Sequence, residues 1–256
     1  MARLCRQYLK WYGNASYKPE KNGERWVLER LRSADLGTVI DVGANVGKWA
    51  RLAAAAFPNA TVYALEIVPA TFERLRTEMA GLERVRPVKV GLADHTGHLQ
   101  IRYHPASSAH ATYTDYPHGW SGETIDCDVT TGDAFLEARG LAAADFVKID
   151  VEGAEHLVLQ GFAGALAQRR LRFVQFEYGR VNILTGFLLK DFYDLFTRHG
   201  YVVGKIYPDY VEVRAYDLGD EDFVGPNYLA CRREEPLLPL LCGYLTAAAT
   251  PPPDSR

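Results

Sequence analysis

The chain has 256 residues, 48% hydrophobic and 24% charged, which suits the core of one large α/β domain and is cramped for two. A net charge of −3 and an isoelectric point near 6.2 exclude a general electrostatic pull toward nucleic acid or an anionic membrane. Cys5, Cys127, Cys231 and Cys242 are far apart and form no C-x-x-C pair, which excludes a zinc ribbon and a disulfide framework and makes a reducing cytoplasm the expected setting.

Residues 1–37 are expected to form an N-terminal helical segment. Met1 to Tyr12 sets basic residues among apolar ones but lacks the apolar core and cleavage site of a signal peptide, and no stretch nears the ~18 to 20 apolar residues of a membrane span. A soluble protein is expected. From Thr38 onward short apolar runs alternate with helical patterns, the signature of βα units on a parallel sheet. Thr38 to Val42 reads as a buried strand, Gly43 to Gly47 as a tight turn and Lys48 to Phe57 as a helix, with Trp49, Leu52, Ala53, Ala56 and Phe57 on one face. Thr61 to Leu65 is the second strand. Pro69 then opens a helix to Met79, and Pro87 to Leu92 is a third, weaker strand.

Between Asp94 and Asp128 the helical rhythm lapses. His98 to Tyr103 and Glu123 to Val129 read as strands flanking a loop rich in Gly, Pro, Ser, His and aromatics, the candidate substrate lid. A helix over Thr131 to Arg139, a strand over Asp145 to Asp150, a helix over Ala154 to Gln168 and a strand over Leu171 to Glu177 follow. Phe187 to His199 predicts a helix closed by Gly200. Tyr201 to Tyr207 and Tyr228 to Arg232 predict an antiparallel edge hairpin. The main domain is thus expected over 38–235, with the lid at about 98–128 and an irregular tail over 236–256 carrying Pro-Pro-Pro.

Asp41-Val-Gly-Ala-Asn-Val-Gly47 joins the first strand to the first helix, where glycines allow a sharp turn and let backbone approach a ligand. Glu66, ending the second strand, can accept both hydroxyls of an adenosine ribose. The turn lacks the G-x-G-x-x-G spacing that seats a pyrophosphate, and Asp41 would repel one while favouring a sulfonium and an ammonium. S-adenosylmethionine therefore fits better than a dinucleotide. An NAD(P)-dependent oxidoreductase is the first alternative, but the chain has no Tyr-x-x-x-Lys pair. A catalytically inactive methyltransferase-like binding module is the second, disfavoured by Asp41, Glu66 and Asp150 occurring together.

Val39-Ile-Asp-Val-Gly-Ala-Asn-Val-Gly47, Glu66 and Pro69, Ala93-Asp94 with Gly97, Phe146-Val-Lys-Ile-Asp-Val-Glu-Gly-Ala-Glu155 with Leu159 and Gly161, and Gln175-Phe-Glu177 together resemble the FkbM-type methyltransferases. The resemblance implies an α/β, Rossmann-like class I methyltransferase fold with helices on both faces of a mostly parallel twisted sheet of about seven strands and an antiparallel edge hairpin. It also implies S-adenosyl-L-methionine as methyl donor and O-methylation of a sugar, glycolipid or polyketide-type hydroxyl. The expected donor-binding residues are Asp41, Gly43, Ala44, Asn45, Gly47, Glu66, Ile67, Ala93, Asp94 and Asp150.

An alcohol must lose its proton as it attacks, so a nearby acid or imidazole is needed; Asp150, Glu177, Glu152 and His156 are the candidates. Asp150 and Glu177 are favoured because both end neighbouring strands, although such acids also cap turns. The same two carboxylates could instead hold Mg²⁺, and His156 could pair with Glu152 across one helical turn. His104, Ser107, Ser108, His110, Tyr113, Tyr116, His118 and Trp120 in the loop suit sugar rings and hydroxyls, and zinc spacing is absent. His110, Tyr113, Tyr178 and Arg180 are the expected acceptor contacts. The expected partner is a small or saccharide substrate, with no nucleic acid and no membrane span, and a homodimer is compatible with the sequence.

Overall fold

A computed structural model of the chain describes residues 2–104, 107–114, 122–224 and 226–242. Helices α1 (Ala2–Tyr12) and α2 (Glu24–Arg30) precede β1 (Thr38–Val42), α3 (Lys48–Ala56), β2 (Thr61–Leu65), α4 (Pro69–Glu78), β3 (Val85–Val88) and β4 (Gly91–Leu92). A second set of strands follows: β5 (Gly97–His104), β6 (Ser107–Thr112) and β7 (Glu123–Thr130). The chain then runs through α5 (Gly132–Ala138), β8 (Ala144–Ile149), α6 (Glu155–Gly161), α7 (Ala163–Ala167), β9 (Leu171–Glu177), α8 (Asn182–Thr185) and α9 (Leu189–Arg198). It ends with β10 (Tyr201–Ile206), β11 (Val211–Val213), β12 (Asn227–Arg232) and α10 (Leu238–Leu241).

The central sheet has eight strands in the order β11-β10-β12-β9-β8-β1-β2-β3. From β3 to β9 the pairing is parallel, with β1 hydrogen-bonded to β2 on one side and β8 on the other. β12 runs antiparallel between β9 and β10. The expected hairpin strands do pair with each other, but they do not form the edge: β12 is interior, and the three-residue β11 takes the outer position.

Two predicted elements divide. The run from Pro87 to Leu92 splits into β3, in the central sheet, and β4, which begins a second sheet ordered β4-β7-β5-β6. Gly91 permits the transfer, since a β-carbon there would stand 2.5 Å from Ile67. The predicted helix from Ala154 to Gln168 breaks at Phe162, whose N–H is shared between the carbonyls of Val158 and Leu159. The expected lid is likewise partly strand, because β6 pairs with β5. The tail, expected to be irregular, begins with α10.

Side chains alternate across the central sheet. Ile40, Val42, Val147, Ile149, Val174 and Phe176 meet Phe135, Val158, Leu159, Phe162, Phe192 and Phe196 from α5, α6 and α9 and from the break at Phe162. Val39, Phe146 and Phe173 face the opposite way, toward Val27 and Leu28 of α2 and Trp49, Ala50 and Ala53 of α3.

Candidate active site

Ligands of open α/β sheets bind beyond the carboxyl ends of the parallel strands, and the acids of this chain concentrate there. Asp41 near the end of β1 is fully buried, and neither of its carboxylate oxygens has a hydrogen-bond partner. Sheet register sets Asp41 beside Lys148 and Lys148 beside Gln175. The buried Lys148 Nζ lies 3.7 Å from Asp41 Oδ1 and 2.8 Å from Asp150 Oδ2. Burial disfavours the Lys148 charge, but Asp150, Asp41 and Glu24 outweigh it and hold the ammonium protonated. Desolvation raises Asp41 to about 6 despite the lysine.

Glu24, from α2, is a buried carboxylate that the sequence reading did not single out. It accepts hydrogen bonds from Asn22 Nδ2 at 2.8 Å and from Gln175 Nε2 at 2.6 Å, and Gln175 also donates to Asn227 Oδ1 at 3.1 Å. Lys148 and this bridge were the missed parts of the site. Lys148 lay within the recognised motif, and its alternation with Phe146 was the available signal.

Asp150, Glu152 and Glu177 each place a carboxylate oxygen within 4.8 Å of the others. Asp150 resists desolvation because Lys148 and a hydrogen bond from Glu177 hold its carboxyl below the usual range. Burial together with the Asp150 charge pushes Glu177 well above that range, so Glu177 carries the proton the pair shares. Glu152 stands at a left-handed turn position, φ +52°, and rises to about 8 through burial, Asp150 and Glu155. The triad is a set of hard oxygen donors, and Lys148 is ion-paired to one of its members, Asp150.

The glycine turn is built differently from the expectation. Gly43 and Gly47 both have positive φ, at +80° and +81°. A β-carbon on Gly43 would stand 1.9 Å from the Asp150 carbonyl oxygen, and one on Gly47 would stand 2.6 Å from Met79. Bare backbone is therefore needed so that the β1 turn can close on the end of β8 and on α4. The inner side of the turn is filled by the protein, whereas Asn45 and Val46 remain partly exposed on its outer side. The Asn45 N–H donates to Glu66 Oε2 at 2.9 Å and the Val68 N–H to Glu66 Oε1 at 2.8 Å, which orients the carboxylate at the end of β2. Burial nevertheless raises Glu66 to about 7.

The buried Ala44 completes the turn, with its N–H on the Leu65 carbonyl. Half-buried Ile67 follows Glu66, and Ala93 is buried with its N–H on the Thr130 carbonyl. Asp94 is exposed and accepts from His95 Nδ1 at 2.8 Å. The Asp41 carboxylate, which has no hydrogen bond and faces Lys148 at 3.7 Å, the oriented Glu66 and the partly exposed Asn45 are oxygen-rich surroundings that fit a cationic, ribose-bearing ligand.

On the acceptor side, Thr112 Oγ1 donates to the Glu152 carbonyl at 3.0 Å, and the Tyr113 hydroxyl shares a 3.3 Å hydrogen bond with His156 Nε2. His156 pairs with Tyr113 rather than Glu152, stacks on Phe187 at 5.2 Å, and is lowered by burial, so it is neutral near pH 7. Arg180 is exposed just past β9. Tyr178 is not an acceptor contact: its ring is fully buried on the apolar face beside Phe192, Phe223 and Tyr228, and its hydroxyl donates to Glu221. The side chain of His110 and residues Tyr116, His118 and Trp120 lie outside what is described.

A parallel sheet carrying one inserted antiparallel strand, with acids at its carboxyl ends, is the Rossmann-like class I methyltransferase architecture. The model of the methyltransferase FkbM domain matches residues 41–203, and the chain belongs to that family. It is 30% identical over 164 residues to the hexuronic acid methyltransferase AglP of Haloferax volcanii, covering 62% of this chain and 63% of that protein. To the 2-O-methyltransferase NoeI of Sinorhizobium fredii it is 25% identical over 197 residues, covering 70% of this chain and 79% of the relative. To the 31-O-demethyl-FK506 methyltransferase FkbM of Streptomyces tacrolimicus it is 31% identical over 166 residues, 53% of this chain and 62% of the relative. The match thus spans less than two thirds of the length of AglP and of FkbM. Among the described residues no helix is long and apolar enough to cross a membrane.

Proposed function

We propose that the chain is an S-adenosylmethionine-dependent O-methyltransferase whose acceptor is a hydroxyl of a saccharide or a related natural product. The observation that carries this reading is the convergence of Asp41, Glu66, Asp150 and Glu177 on the carboxyl ends of four neighbouring parallel strands, around the β1 turn. Family membership supports methyl transfer, and relatives named for a hexuronic acid and for 2-O-methylation favour a sugar acceptor. When bound, the donor supplies an electrophilic methyl group on a positively charged sulfur.

Glu66 accepts the ribose hydroxyls, while Gly43, Ala44, Asn45 and Gly47 shape the turn beside the methionine moiety and Asp41 offsets its positive charge. Ile67, Ala93 and Asp94 border the adenine. Asp150 is held ionised by Lys148, which makes it a weak base but a good anchor; Glu177 holds the proton of the pair and donates it in a hydrogen bond to Asp150, while burial and the Asp150 charge raise Glu152 to about 8. Glu152, in its ionised form, receives the acceptor's hydroxyl proton. Tyr113, Arg180 and His110 contact the acceptor.

The test is transfer of label from tritiated S-adenosylmethionine, with chelator present, to hexuronic acids, neutral hexoses and macrolide alcohols. Base-stable label on a sugar hydroxyl is expected. Base-labile label would mean carboxyl methylation, and calorimetric binding of NADH in place of S-adenosylmethionine would overturn the assignment.

A further inference from the structure

Helix α1 has an apolar face that nothing in the described structure covers. Leu4, Tyr8, Leu9, Trp11 and Tyr12 are between 57% and 76% exposed, and Tyr8 stacks on Tyr12 at 6.1 Å along the outside. At 100° per residue, Leu4, Cys5, Tyr8, Leu9, Trp11 and Tyr12 fall within one half of the helix, while Arg3, Gln7 and Lys10 fall within the other. The helix contains three cations and no acid, in a chain whose net charge is −3.

The body of the protein holds this helix at its carboxyl end. The Gly13 N–H closes on the Leu9 carbonyl, and Asn14 Nδ2 donates to the carbonyls of Asn22 at 2.7 Å and Ile206 at 2.8 Å, which ties the exit of α1 to β10. Tyr17, three residues further on, reaches toward Gly179, just past the carboxyl end of β9. The apolar face is therefore presented from a fixed point at the rim of the site.

We propose that α1 is an interfacial helix that docks the protein on an anionic lipid surface. Eleven residues span only about 16 Å, too short to cross a bilayer but suited to lying along it. Tyr8, Trp11 and Tyr12 are the amphipathic rings that settle at the headgroup level, and a basic half above an apolar half matches an anionic interface. The same charges oppose a second copy, since a symmetric pairing of two such helices brings like cations together.

The experiment is flotation of the full chain with vesicles of phosphatidylcholine alone and with vesicles of equal parts phosphatidylcholine and phosphatidylglycerol. Wild type floats with the anionic vesicles. Trp11→Asp abolishes flotation with an unchanged melting curve, and Arg3→Gln combined with Lys10→Gln weakens it about thirty-fold on anionic vesicles. Wild type remaining soluble with both vesicle types, or floating equally well after both cations are removed, overturns the proposal. So does sedimentation showing a dimer that Trp11→Asp dissolves, because the face would then belong to another copy.

Discussion

Ile40, Val42, Val147, Ile149, Val174 and Phe176 point to one face of the central sheet, and Val39, Asp41, Phe146, Lys148, Phe173 and Gln175 point to the other. The first face stays apolar to the ends of the strands and is packed by aromatic rings, such as Phe176 against Phe192 at 4.5 Å. The second changes character one residue pair short of the carboxyl ends, where Asp41, Lys148 and Gln175 form a buried polar row under Glu24 of α2. One face supplies stability that does not depend on pH. The other holds charges out of water and can keep them only as a connected set, which is what makes them useful to a reaction.

The largest expected effect is on turnover. Glu152→Gln removes the proton acceptor and lowers kcat by about 10² to 10⁴ while donor affinity by calorimetry stays within about threefold. Asp150→Asn acts through its neighbours: the lost negative charge lets Glu152 and Glu177 ionise at lower pH, so the acid limb of the kcat profile moves down. An unmoved limb would place the proton acceptor elsewhere.

Lys148→Met and Phe176→Ala compare the faces directly. Each is expected to cost about 3–5 kcal/mol in urea unfolding, the first by leaving buried acids without their cation, the second by opening a cavity. Only the Lys148 loss grows as pH rises and its acids ionise. Equal pH dependence for both variants would remove the distinction between the faces.

Glu66→Gln probes a buried acid outside the lysine's row. Its carboxyl rises from 4.5 to about 7 in the fold, so between those values the folded protein retains a proton that the unfolded chain has released. Wild-type stability therefore falls with rising pH across that window, by roughly 3 kcal/mol for a shift of this size. Gln removes the decline. A variant curve parallel to wild type from pH 4 to 8 would show that Glu66 enters the fold ionised.

The strands that the alternation of residue types located to the residue, Thr38–Val42, Thr61–Leu65 and Leu171–Glu177, are apolar-rich runs paired along the middle of the sheet. Val211–Val213 was not legible, because three residues give too short an alternation to separate from loop. Neither was Ser107–Thr112, whose Ser, Ala and His residues have little strand preference and depend on β5 for pairing. The acids at the strand ends could be read from their positions. Their partners could not: Lys148 meets Asp41 through register between strands, and Glu24 meets Gln175 across 151 residues of chain. Contacts of that kind leave no local spacing to read.

Tyr178 gives the smallest and sharpest test, because it follows Glu177 directly and yet belongs to the opposite face. Glu177 turns toward Asp150, whereas the next side chain turns into the aromatic cluster with its hydroxyl on Glu221. Tyr178→Phe keeps the ring packing and removes one hydrogen bond to a carboxylate, a loss of about 1.5–3 kcal/mol in stability. Turnover and acceptor KM should not change. Glu221 retains the backbone N–H groups of Leu189 and Lys190, at 3.2 Å and 2.9 Å, so its charge is not stranded. A raised acceptor KM in this variant would mean that the chain turns toward the substrate at Tyr178, and that the boundary between the two faces lies one residue later, past Tyr178.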